Sequence, residues 1–163
     1  MKRTVFGLLL GITLLLATAP VLAQDLGLRR WGPRAGVADN PDQIVLGAQA
    51  DFGEFIPRLR FQPDVELGLG DDHTILSLSA PVHYLLPLEG NFTLYGGGGI
   101  MVGWIDEDEN ARRRVDEDGS EIDISPMLAG GVEWPVGRQR ILVELKAAGG
   151  EQQDLKLMVG WMF

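Results

Sequence analysis

The chain contains no cysteine. That excludes a disulfide framework, a thiolate zinc site and a cysteine nucleophile. Histidine is scarce as well, with His73 and His83 the only two. Basic residues are in deficit: 14 Lys+Arg stand against 23 Asp+Glu, a formal net charge of −9. With no basic cluster outside one loop, nucleic acid is not expected as a partner. Only one stretch approaches the ~18 consecutive apolar residues of a membrane-spanning helix, so a helical membrane protein is excluded. Apolar residues are nevertheless spread through the whole chain, which argues against disorder. Glycine is in excess, 22 of 163 residues, about twice the ordinary share.

The single apolar stretch is N-terminal. Lys2 and Arg3 precede the run Val5 to Leu16, and a small-residue exit follows with Val21 and Ala23 at the −3 and −1 places. This pattern reads as a secretory signal peptide over 1–23, cut between Ala23 and Gln24. No Cys follows it, so lipid attachment at that point is excluded. Removal of 1–23 takes away two basic residues and no acid, leaving 12 basic against 23 acidic residues in 24–163.

The mature chain alternates with period two, broken by turn residues. The last segment is clearest: Leu155, Leu157, Val159, Trp161 and Phe163 share one face, and Lys156, Met158, Gly160 and Met162 the other. Similar alternation marks 30–38, 44–53, 59–69, 74–86, 92–104, 122–134 and 139–148, which makes eight strands. All but one of the connections are short enough for hairpins, so an antiparallel meander is expected, and eight strands can close into a barrel. Pro63, Pro81 and Pro126 fall inside strands, where they remove ladder donors, and are read as bulges or bends. Gly96 to Gly99 lacks the lysine and helix of a phosphate-binding loop and is read as relief of crowding or a sharp bend.

Alternation alone does not say which face is inside. The polar face carries Arg30, Arg34, Arg60, Arg140, Lys146 and Lys156 against Asp51, Asp64, Glu66, Asp123, Glu133 and Glu144. Balanced charges suit a closed lumen, because an unpaired buried charge costs several kcal/mol. With strands running alternately up and down, Trp31, Phe52, Phe61, Tyr84, Phe92, Trp134, Trp161 and Phe163 gather at one end of the apolar face, and Trp104 at the other. Aromatic rings favour the headgroup level of a membrane, so these residues read as an aromatic girdle. The longest connection, near 105–121, lands on the far side from the chain termini, as membrane barrels prefer.

The signal peptide, the alternating segments and the terminal Val159-Gly-Trp-Met-Phe163 together resemble the small eight-stranded outer-membrane β-barrel family, of the OmpA transmembrane-domain and OmpX type. The resemblance is architectural and covers the whole mature chain. It implies a domain over 24–163 in the outer membrane of a Gram-negative envelope. It also implies lipid and lipopolysaccharide as surroundings, a monomeric state, and a C-terminal signal, Trp161 with Phe163, read by the barrel assembly machinery.

Chemistry is harder to find. His83, Ser77 and Ser79 share the polar face, and a Ser–His–acid grouping with Glu133 can be drawn, but at different heights. In the acidic 105–121 loop, Asp106, Asp108, Asn110 and Glu117 fall at calcium-loop positions, yet Ala111 stands where glycine is required. No catalytic, cofactor or metal site is therefore expected. An all-β transmembrane barrel with a polar, largely plugged lumen and a structural or surface-interaction role is the leading expectation. A soluble lipocalin-like carrier is the alternative, and a barrel-embedded lipid-modifying enzyme a minor one.

Overall fold

Period-two alternation becomes ten strand segments in a computed structural model, which describes residues 26–39, 42–70, 73–107, 120–149 and 155–163. The signal segment with Ala23 and Gln24 lies outside the described residues, as do 108–119 of the acidic loop. The segments are β1 (Arg30–Asp39), β2 (Gln43–Asp51), β3 (Glu54–Ile56), β4 (Leu59–Phe61), β5 (Asp64–Leu69), β6 (His73–Pro87), β7 (Thr93–Glu107), β8 (Ser120–Val136), β9 (Gln139–Ala148) and β10 (Leu155–Met162). Every pairing is antiparallel, and β1 pairs with both β2 and β10, so the sheet closes on itself. Closure leaves no sheet edge open along the barrel wall.

Ten segments make eight staves. β4 and β5 pair with β6 in one unbroken register, Leu59 opposite Tyr84 and Asp64 opposite Ser79. β2 continues into β3 through a bend at Gly53, whose φ of 87° suits glycine, with a register irregularity between Glu54 and Ile56. The start of β1, the C-terminal Phe163, the turn at 57–58, the short 3-10 turn Glu89–Asn91 and the turn at 137–138 share one end, called lower here. Arg58, Gly90, Asn91 and Gly137 all take positive φ in those tight turns.

The prolines behave differently from the expectation of bulges. Register runs unbroken through Pro81 opposite Gly99 and through Pro126 opposite Ile100. Each proline instead keeps a carbonyl in the ladder and omits a donor. The Pro81 carbonyl accepts from the Gln62 N–H, the Pro63 carbonyl from Ala50, and the Pro126 carbonyl from Gly149. Pro63 and Pro81 thus thin the bonding around Gln62, where the strand is interrupted between β4 and β5, without shifting it.

Glycine lets the strands and the lumen contents approach closely. A Cβ on Gly97 would collide with the Val82 carbonyl on β6, and one on Gly131 would sit 2.6 Å from the Tyr95 hydroxyl. Gly97 therefore serves close strand approach, and Gly131 both serves it and makes room for a large neighbour, since a Cβ there would also collide with the Val143 carbonyl on β9.

Candidate functional site

Side-chain parity puts the charged face inside. Arg34, Asp51, Arg60, Asp64, Glu66, Glu133, Glu144, Lys146 and Lys156 are all buried. Arg140 keeps 26% of its side chain accessible. Asp123 stands half-buried towards the upper mouth.

The buried charges form two groups. In the central group, Arg34 on β1 reaches Glu144 on β9 and lies 3.3 Å from Asp64 and 3.1 Å from Glu66 on β5. Lys146 Nζ donates to Asp64 at 2.6 Å and to Glu66 at 2.8 Å, and Lys156 Nζ to the other Glu66 oxygen at 3.0 Å. The Tyr95 hydroxyl donates to Glu144 at 3.0 Å. In the lower group, Arg60 donates to both Glu133 oxygens at 2.8 and 3.0 Å, Arg140 lies 3.0 Å from Glu133, and Asp51 is 3.8 Å from both arginines. The Lys146 links from β9 to β5 join staves on opposite sides of the barrel. Removing one member of such a pair typically costs ~3–5 kcal/mol, because its partner is left charged and dry.

The Ser–His–acid grouping is not assembled. Ser77 and Ser79 accept from Lys156 and Lys146, at 3.3 and 3.4 Å. His83 packs its ring 4.8 Å from Tyr95 and stands 3.9 Å from Glu144, while Glu133 belongs to the lower arginines. Among the described residues, no group of three or more His, Asp or Glu could hold a metal ion.

The lumen is less polar than the alternation suggests. Ala38, Val45 and Met158 form one buried apolar cluster, and Met101, Met127 and Ala129 another. Ile75 and Leu142 are buried as well. Below the lower charged group opens a vestibule of about 1020 Å³, bordered by Arg29, Arg30, Arg58 and Arg60 among others. Neither feature is visible as a pattern in the sequence.

The outer face is apolar throughout. Among the described residues 29 large apolar side chains are exposed, including Leu128 at 69% and Ile124 at 67%. Water-soluble monomers rarely carry contiguous apolar surface on that scale. Of the aromatic side chains, Trp31, Tyr84, Phe92, Trp104, Trp161 and Phe163 are exposed, and Phe52, Phe61 and Trp134 are partly so. At the lower rim they pair ring to ring: Trp31 with Phe163 at 6.2 Å, Phe52 with Phe61 at 5.9 Å, Phe92 with Trp134 at 6.1 Å. Trp104 is in the upper part of β7, away from that rim.

No protein-family model and no curated protein matches the sequence. Solved structures do match in shape. The crystal structure of Neisserial surface protein A superposes with a TM-score of 0.59 at 14% identity, over 82% of this chain and 93% of that one. The outer membrane protein Ail of Yersinia pestis, in a phospholipid bilayer nanodisc, gives 0.51 at 12% identity, over 82% and 97%. The fold of this chain is that of small eight-stranded outer-membrane β-barrels.

Proposed function

We propose that the chain is an integral outer-membrane protein with both termini on the periplasmic side. Its lumen is filled by ion pairs and apolar clusters, so it holds no wide pore, and its role is structural or surface-interacting rather than catalytic. The observation that carries this reading is the inverted polarity: ion-paired charges inside, a continuous apolar surface outside. A lipocalin-like carrier needs the reverse arrangement. The shared fold of Neisserial surface protein A and of Ail supports the membrane setting.

In this reading lipid and the lipid part of lipopolysaccharide cover the outer face. Trp31, Phe52, Phe61, Tyr84, Phe92, Trp134 and Trp161 anchor the periplasmic interface, and Trp104 the outer one. Residues 1–23 are removed between Ala23 and Gln24, the barrel is monomeric, and Trp161 with Phe163 is the handle for the assembly machinery.

Fractionation of cells with intact-cell proteolysis tests the reading. The protein is expected in the outer-membrane pellet after alkaline washing, with gel migration that changes on boiling and cleavage from outside within 105–121. Release by mild washing, with migration unchanged by boiling, would overturn it.

A further inference from the structure

His83 sits in the lumen without belonging to either charged group. It is 1% exposed, and neither ring nitrogen meets a hydrogen-bond partner among the described residues. Its ring lies against Tyr95, with centroids 4.8 Å apart. Nε2 stands 3.9 Å from Glu144 Oε2, too far for a hydrogen bond. That same oxygen accepts from the Tyr95 hydroxyl at 3.0 Å, and the other Glu144 oxygen is taken by Arg34. Tyr95 also touches the lower group, because the Arg60 guanidinium lies over its ring, 5.4 Å from the centroid. The His83–Tyr95 pair therefore stands between the two groups.

The charges around His83 do not accommodate a further cation. Arg60 on β4 stands opposite it in the ladder, Glu144 and Lys146 act on it from β9, and Arg34 from β1. From β7 it meets Tyr95, and its lumen neighbours on β6, Pro81 and Leu85, carry no charge. Arg60 is engaged by Glu133 on β8, and Lys146 by Asp64 and Glu66 on β5. Three cations thus surround the ring with one anion whose oxygens are both taken. Each group is already neutral. Arg34, Lys146 and Lys156 match Asp64, Glu66 and Glu144, and Arg60 and Arg140 match Asp51 and Glu133. A proton on His83 would be a buried charge without a counter-charge, which is costly.

We propose that His83 is an acid-sensitive switch in the plugged lumen. The closed lumen keeps the ring neutral, leaves Glu144 to Tyr95 and locks the two groups together. Acid favours a loosened lumen in which Nε2–H competes with the Tyr95 hydroxyl for Glu144 Oε2 and Tyr95 loses its anchor. In an unfolded chain histidine takes up its proton near pH ~6.5, about two units above the carboxylates. Below that pH the unfolded state binds the extra proton, so stability falls as pH falls, by up to about tenfold in the folding equilibrium constant per pH unit. The switch depends on the lumen and not on whether lipid surrounds the wall.

Urea unfolding of the full mature chain, refolded in an uncharged maltoside detergent, tests this at pH 7.5, 6.5 and 5.5. The folding constant of the unsubstituted chain is expected to fall several-fold to about tenfold between pH 6.5 and 5.5. His83→Gln should remove most of that fall. Tyr95→Phe should reduce it, because Glu144 Oε2 is then open to the protonated ring. Folding of each variant is checked by heat-modifiable migration. A second measurement needs no change at His83. Its ring carbon resonance, told apart from that of His73 by the His73→Gln variant, should stay at the neutral position through pH 6.5 while the barrel is folded. An equal fall in His83→Gln, an undiminished fall in Tyr95→Phe, or ordinary ring titration near pH 6.5 in the folded barrel would overturn the proposal.

Discussion

At the scale of single residues, some large side chains in the lumen sit directly against a glycine. Gly131 faces the Tyr95 hydroxyl, and that hydroxyl then reaches Glu144. Gly160 faces the Gln49 side chain, and the three atoms nearest a Cβ placed there are all side-chain atoms, of Gln49 and Leu142. Gly97 differs, because its obstacle is the Val82 carbonyl. The two kinds of glycine predict different genetics. Gly160→Ala should destabilise the barrel by ~1–3 kcal/mol, the usual range for overpacking. Gln49→Ala should relieve most of that loss in the double variant, because a flexible side chain has been removed. No lumen truncation should rescue Gly97→Ala. Urea unfolding midpoints in vesicles, read as a double-mutant cycle, measure both; strict additivity for Gly160 and Gln49 would refute the distinction.

At the scale of strands, the sequence carries most of the architecture because period two is a strong signal where the two faces differ. The eight alternating segments match the eight staves to within a few residues. The signal fades where both faces are apolar. Met158 and Met162 point inward beside Leu157 and Trp161 pointing outward, so parity places them but chemistry does not flag them. The vestibule is invisible for another reason: its arginines lie in three separate stretches of chain, joined only by closure of the barrel. The prolines are plain in the sequence, but their effect is not. Gln62 and Pro81 share one hydrogen bond where two are usual, because Pro81 lacks its N–H. Pro81→Ala should therefore add a ladder bond to the Gln62 carbonyl. Hydrogen exchange is the measurement: the amide gained at position 81 should be protected as well as its neighbours, with global stability changed by no more than ~0.5–1.5 kcal/mol. A fast-exchanging amide there would mean that the seam is splayed rather than one bond short.

At the scale of the whole molecule, charge and apolar surface are sorted by position. Lumen charges pair with each other, arginines collect at the lower mouth, and the wall between the mouths is apolar. If that wall sits in lipid, the four tryptophans report its limits. Trp31, Trp134 and Trp161 lie near the lower rim and Trp104 towards the upper one, all on the outer face. Aromatic rings settle at the headgroup boundary rather than at mid-membrane. Single-tryptophan variants keeping Trp31 or Trp104, refolded into vesicles of brominated lipid, should thus be quenched more by bromine near the headgroup than by bromine near the chain ends. Equal quenching of both at the shallow position would place the two rims at the two interfaces, with the apolar wall spanning between them. Deep quenching of Trp104 would put the upper boundary above it and lengthen the span. Absence of quenching at either depth would remove lipid from the wall altogether, and with it the reason for an outward apolar face.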